Sequence, residues 1–241
     1  MDDVTKRTLG FLLGAAIGVF ILAMLFFTNV QAGERWVVLG DGTATAIQEN
    51  AVVPHPDQRW TALVQTRTGH EIINLAGGAE GWAINQVVTI TKAATLKALG
   101  FDKVILAYGT NDFGTGQNLG VVAAGIGRVV GALKAQGFTV VCLTPIYRTD
   151  WQTRRGPNPG QQSARGNPLF TNPANPGVIG YANFMGGYCS FNGAQVIQGQ
   201  QAPVRFDQLG GWFFRMFLNI DGHDRMATFM TTQMRAKGHW Q

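Results

Sequence analysis

From residue 34 onward the chain alternates short, unbroken apolar runs with longer stretches whose apolar residues recur at helical spacing. RWVVLG (35–40), HEIINLA (70–76), KVILAYG (103–109) and FTVVCLTP (138–145) read as strands, and AQVIQ (194–198) as a fifth. Between them DQRWTALVQTRT (57–68), Trp82 to Leu99 and VVAAGIGRVVGALKAQ (121–136) read as helices, and a last helix is expected from His223 to Lys237. Strands without polar alternation are buried on both faces, and strands separated by helices pair in parallel. The pattern predicts an α/β unit with a doubly wound, three-layer α/β/α architecture around a five-stranded parallel sheet. Ligands of such sheets bind at the carboxyl ends of the strands.

The alternation breaks between Asp150 and Gly180. DWQTRRGPNPGQQSARGNPLFTNPANPGVIG is rich in Pro, Gly, Asn and Gln and has no periodicity. An insertion of this kind in a compact unit is either a functional excursion or a surface loop. Its prolines and arginines suit contact with a partner.

The first residues follow another rule. Leu9 to Phe27, LGFLLGAAIGVFILAMLFF, holds nineteen residues without a charge, enough as a helix to span a hydrocarbon core of roughly 30 Å. VQA before Gly33 also fits a small-x-small cleavage site, so a signal peptide is the competing reading. The length of the apolar run favours a retained anchor, dividing the chain into an anchor, 1–33, and a globular domain, 34–241. Lys6 and Arg7 ahead of the span place the N-terminus in the cytoplasm and the globular domain on the periplasmic or extracytoplasmic side. Gly10, Gly14 and Gly18 recur every fourth residue on one face, where small residues let a second helix approach. Glycine is also simply frequent in membrane helices.

Composition narrows the function classes. The chain has 241 residues, 46% of them hydrophobic and 14% charged, which suits one sizeable core plus an appendage. A formal charge of +5 is scattered rather than gathered into a stripe with aromatics, so nucleic-acid binding is not expected. The four histidines (55, 70, 223, 239) stand far apart, and Cys142 and Cys189 lack metal-ligand spacing; no metal and no cofactor is implied. Cys142 reads as a small core residue in a strand, which argues against a disulfide with Cys189.

Four short blocks fall where a doubly wound sheet would place its site: Gly40-Asp41-Gly42-Thr43, NLAGGAEG (74–81), GTND (109–112) and DGHD (221–224). Each alone is ordinary turn chemistry. In this order and spacing they resemble the SGNH (GDSL) hydrolase family over roughly Trp36 to Met230. The resemblance implies the family's SGNH/flavodoxin-like fold, ester or acetyl-ester hydrolysis without a metal, and a serine–histidine–aspartate mechanism. It also implies an oxyanion hole from the backbone at Gly42, from Gly77 or Gly78, and from the Asn111 amide.

The chain departs from that pattern where covalent chemistry would occur. Gly42 stands at the nucleophile position and carries no oxygen. Thr43, one residue along the turn, projects in another direction. Asp221 and His223 are separated by one residue where the family has two, and Asp224 replaces the proline that usually follows the histidine. The dyad is therefore expected to be vestigial, and the oxyanion-hole residues to persist as turn-formers or as a pocket without turnover. The expectation is a membrane-anchored, catalytically inactive accessory subunit that meets other membrane-protein subunits through its transmembrane helix and the 150–180 insertion. An active esterase or deacetylase, using Thr43 or a water activated by His223, and a carbohydrate- or lipid-binding module are the alternatives.

Overall fold

The computed structural model describes residues 33–41, 56–77, 80–83, 86–115, 117–145, 177–202, 209–210, 217–218 and 220–240. The chain divides into two units, Met1–Gly33 and Glu34–Gln241. The apolar run 9–27 with Gly10, Gly14 and Gly18, the turn residues Gly42 and Thr43, Gly78, and most of the 150–180 insertion lie outside the described residues. Among the described residues no helix is long and apolar enough to cross a membrane.

The second unit runs β1 (Arg35–Gly40), α1 (Trp60–Thr68), β2 (Glu71–Asn74), α2 (Gln86–Ala98), β3 (Lys103–Ala107), α3 (Thr110–Thr115), α4 (Leu119–Ala135), β4 (Thr139–Leu143), α5 (Gly177–Phe191), β5 (Gln195–Ile197), the antiparallel pair β6 (Leu209–Gly210) and β7 (Phe217–Leu218), and α6 (Ile220–Ala236). The five longer strands form one sheet in the order β2-β1-β3-β4-β5, parallel at every pairing. This is the expected sheet, with its change of winding direction between β1 and β3.

Strand side chains alternate between two cores. Val37, Leu39, Val104, Leu106, Val140 and Cys142 face α2, α4 and α5. Trp36, Val38, Ile105, Val141 and Leu143 face α1 and α6. Both faces are covered, which is why the strands read as unbroken apolar runs. The sheet packs closely where the chain leaves it: a Cβ on Gly40 would collide with the backbone carbonyl of Ala107, about 2.5 Å away.

Several element boundaries differ from the pattern. Trp82 and Ala83 precede α2 rather than begin it, and their N–H groups donate to the Asp112 carboxylate at 2.7 and 2.9 Å. A short 3₁₀ turn, Pro56–Gln58, precedes α1, which starts at Trp60. α6 starts at Ile220 rather than His223, with Asp221 in its first turn and paired at i,i+4 with Arg225. Both arrangements favour helix there. α5 was not expected at all: Gly177, Gly180, Gly186 and Gly187 lower its helix propensity. Burial of Tyr181, Ala182, Met185 and Cys189 against the core overrides that preference.

The two ends of this unit meet. The Glu34 carboxylate pairs with Lys103 at 2.8 Å and accepts the Trp36 indole N–H at 3.0 Å and the Trp240 backbone N–H. Glu34 N–H donates to His70 Nδ1 at 2.9 Å. Trp36 packs edge-on against His239 and Trp240, and His70 stacks on Trp240.

Candidate functional site

The carboxyl ends of β1, β2 and β3 bring the first three blocks together. Asp41, wholly buried, follows β1; its Oδ2 accepts the N–H groups of Thr110 at 2.8 Å and Asn111 at 3.4 Å. The turn after β1 is thereby tied to the start of α3. Gly109 makes that start sharp: its φ is +115°, and a side chain there would strike Met185.

Both described candidates for the oxyanion hole are engaged within the protein. The Gly77 N–H donates to the Gly40 carbonyl at 2.9 Å, extending the β1–β2 ladder. Asn111 Nδ2 donates to the Glu80 backbone carbonyl at 2.8 Å. Gly42 and Gly78, the other two candidates, lie outside the described residues.

Glu80 is the residue that the block-by-block reading missed. Nearly buried, its carboxylate pairs with Lys92 and accepts the Tyr108 hydroxyl at 3.0 Å, while Tyr108 also shares a hydrogen bond with Thr89 at 2.8 Å. Lys92 donates to the Leu75 carbonyl as well, at 3.1 Å. Glu80 thus joins the turn after β2, the end of β3, α2 and, through its carbonyl, Asn111. The only sequence signal was an acidic residue inside an otherwise apolar, glycine-rich turn. Burial pushes the Tyr108 phenol well above its ordinary range, so it stays a hydrogen-bond donor. Burial also raises the Asp112 carboxyl, against the lowering effect of the Ala83 and Trp82 N–H groups.

The fourth block is used otherwise. Residues i and i+2 of a helix project about 200° apart, and Asp221 and His223 behave accordingly. Asp221 points to solvent, 57% exposed, and pairs with Arg225 at 3.2 Å. His223 is fully buried, and its Nδ1 accepts the Trp60 backbone N–H at 3.2 Å, satisfying one of the donors that the first turn of α1 leaves without a helical partner. An amide has only a proton to offer, so Nδ1 is the acceptor and the neutral ring carries its proton on Nε2. Nε2 is itself buried without a hydrogen-bond partner. Burial, with the Arg59 guanidinium nearby, lowers the His223 pKa to about 4. Asp224, at the position of the missing proline, pairs with Arg67 of α1, which also bonds the Asp224 carbonyl and Thr228. The DGHD block serves as the α1–α6 packing surface.

Among the described residues no group of His, Cys, Asp or Glu could hold a metal ion.

No family model and no curated protein sequence matches the chain. Solved structures do. TesA superposes with a TM-score of 0.59 at 14% identity, over 84% of this chain and 99% of that one. The acetyl xylan esterase AlAXEase gives 0.58 at 16% identity, over 83% and 98%. A member of the lipolytic protein G-D-S-L family from Veillonella parvula gives 0.57 at 12% identity, over 85% and 100%. With the strand order, the position of the blocks at the strand ends and these superpositions in place, the chain has the fold of the SGNH (GDSL) lipolytic hydrolases.

Proposed function

We propose that this chain is a member of the SGNH family that has lost ester hydrolysis and serves, anchored in a membrane through its first 33 residues, as an accessory subunit of a larger assembly. The observation that carries the loss of hydrolysis is the bond from Trp60 N–H to His223 Nδ1. A general base in this mechanism donates from Nδ1 to a carboxylate and receives the serine proton on Nε2. Here Nδ1 is occupied by a donor, Nε2 already holds the proton, and Asp221 turns away to Arg225. A pKa near 4 makes the ring a poor base at neutral pH. Gly42, which offers no nucleophilic oxygen, agrees with this reading. The uncharged run 9–27 with its glycine face supports the anchor, and the extracytoplasmic placement of the globular unit follows from Lys6 and Arg7.

Two measurements test the proposal. Purified full-length chain in mild detergent should hydrolyse small acetyl esters no faster than a His223→Ala variant. Robust turnover by the wild type that disappears in the variant establishes instead an active esterase, the activity borne by lipolytic proteins of this fold. The chain extracted gently from its native membrane should bring other membrane subunits with it, and Gly14→Leu should loosen that association without unfolding the globular unit. Recovery as a soluble chain beginning at Gly33 removes the anchor from the proposal.

A further inference from the structure

The chain has only two cysteines, and the fold brings them together. Cys142 lies on β4, in register with Val196 of β5, on the sheet face that α5 covers. Cys189 lies in the last turns of α5, its carbonyl accepting the Ala194 N–H at 3.0 Å as the chain turns into β5. Both side chains are fully buried in the same core cluster, and the neighbouring Cys189 thiol adds to burial in raising the Cys142 thiol. In this structure both are free thiols.

We propose that Cys142 and Cys189 are a disulfide site, oxidised as the chain folds in an oxidising compartment. Two positions far apart in sequence, each on a regular element, are directed into one core. Here they are the only cysteines the chain has. Closing the bond needs the sulfurs to approach to about 2.05 Å. Two S–H bonds break and one S–S bond forms. Two electrons and two protons pass to an oxidant of the disulfide class, which leaves as two thiols.

The timing follows from chemistry. A thiolate is the attacking species, and burial pushes the folded Cys142 thiol up. Oxidation therefore belongs to the folding chain, before α5 closes over β4, and once formed the bond is shielded from reductants. The loop it closes contains the whole Pro- and Gly-rich 150–176 stretch. Such a loop is costly to order, and a cross-link between its flanks removes much of that cost from the unfolded chain.

The test uses the full-length chain recovered from an exporting bacterial host and unfolded in a thiol-reactive maleimide, with intact mass as the readout. Without reductant the chain should take no label and weigh two hydrogens less than its sequence; after dithiothreitol it should take two labels. Thermal unfolding should shift down by about 10 °C on reduction, and a Cys142→Ala/Cys189→Ala variant should lose that sensitivity. Two labels without reductant, or a covalent dimer on a non-reducing gel, overturns the proposal. The oxidising compartment rests on the extracytoplasmic placement proposed above, whereas neither result bears on ester hydrolysis, so the loss of hydrolysis and the disulfide fail separately.

Discussion

Replacing Glu80 by alanine should lower the unfolding free energy by about 3 kcal/mol, measured by urea denaturation. Glu80 is a nearly buried carboxylate facing Lys92 and the Tyr108 hydroxyl. Removing one partner of a buried pair strands the other, at a cost of about 3–5 kcal/mol. The lower end applies because the Lys92 side chain keeps 30% of its exposure and its bond to the Leu75 carbonyl. Glu80→Gln keeps the shape and an acceptor for Tyr108, so its cost should be nearer 1 kcal/mol, that of weakening a charged hydrogen bond. The loss should be local in its consequences. Asn111 hangs from the Glu80 carbonyl, so amide exchange at Thr110 and Asn111 should quicken in the alanine variant more than exchange in α6. Equal stability of the wild type and Glu80→Ala would show that this network is solvated and contributes nothing.

Acid should weaken the unit through His223. Its pKa is about 4 in the folded chain against 6.5 for an ordinary histidine, so between these values the unfolded chain binds more protons than the folded one. The contribution is fully present above pH 6.5 and falls as pH drops through the window. It is spent below pH 4, after a total of about 3 kcal/mol. The mechanism is specific: a protonated Nδ1 can no longer accept the Trp60 N–H, and it places positive charge beside Arg59 at the positive end of α1. A His223→Asn variant, whose amide oxygen can still accept that bond, should lose this part of the slope. His70 and His239 are also lowered by burial and act in the same direction. The decisive quantity is therefore the difference between wild type and variant across pH 4 to 6.5. Parallel curves would remove His223 from the acid response.

Much of the fold was legible because it depends on one variable, apolar run against apolar period. All five strands of the sheet and four of its crossover and flanking helices follow from it. α5 escaped because its glycines disguise a helix that is held by burial rather than by propensity. The start of α2 escaped because the turn ahead of it is held from afar: Asp112, twenty-nine residues on in sequence, accepts the N–H of Ala83. In the candidate site, the blocks announced where the strand ends converge, since Asp41, Gly77 and Asn111 do gather there. What spacing could not convey was which donors are already spent: Gly77 on Gly40, Asn111 on Glu80. The shortened Asp221–His223 spacing did signal an altered dyad, yet not that the imidazole would end as a support for α1. That outcome depends on α6 starting early, at Ile220.

The meeting of Glu34 with Trp240 makes the globular unit a nearly closed ring of chain. A ring has no privileged place to begin. A short linker could join Glu34 to Trp240, and the sheet could be read from another starting point, such as the left-handed turn at Gly100 between α2 and β3, with every strand pairing unchanged. Order along the gene and order in space are separable in this unit, and a circularly permuted chain is the form in which that separation becomes visible.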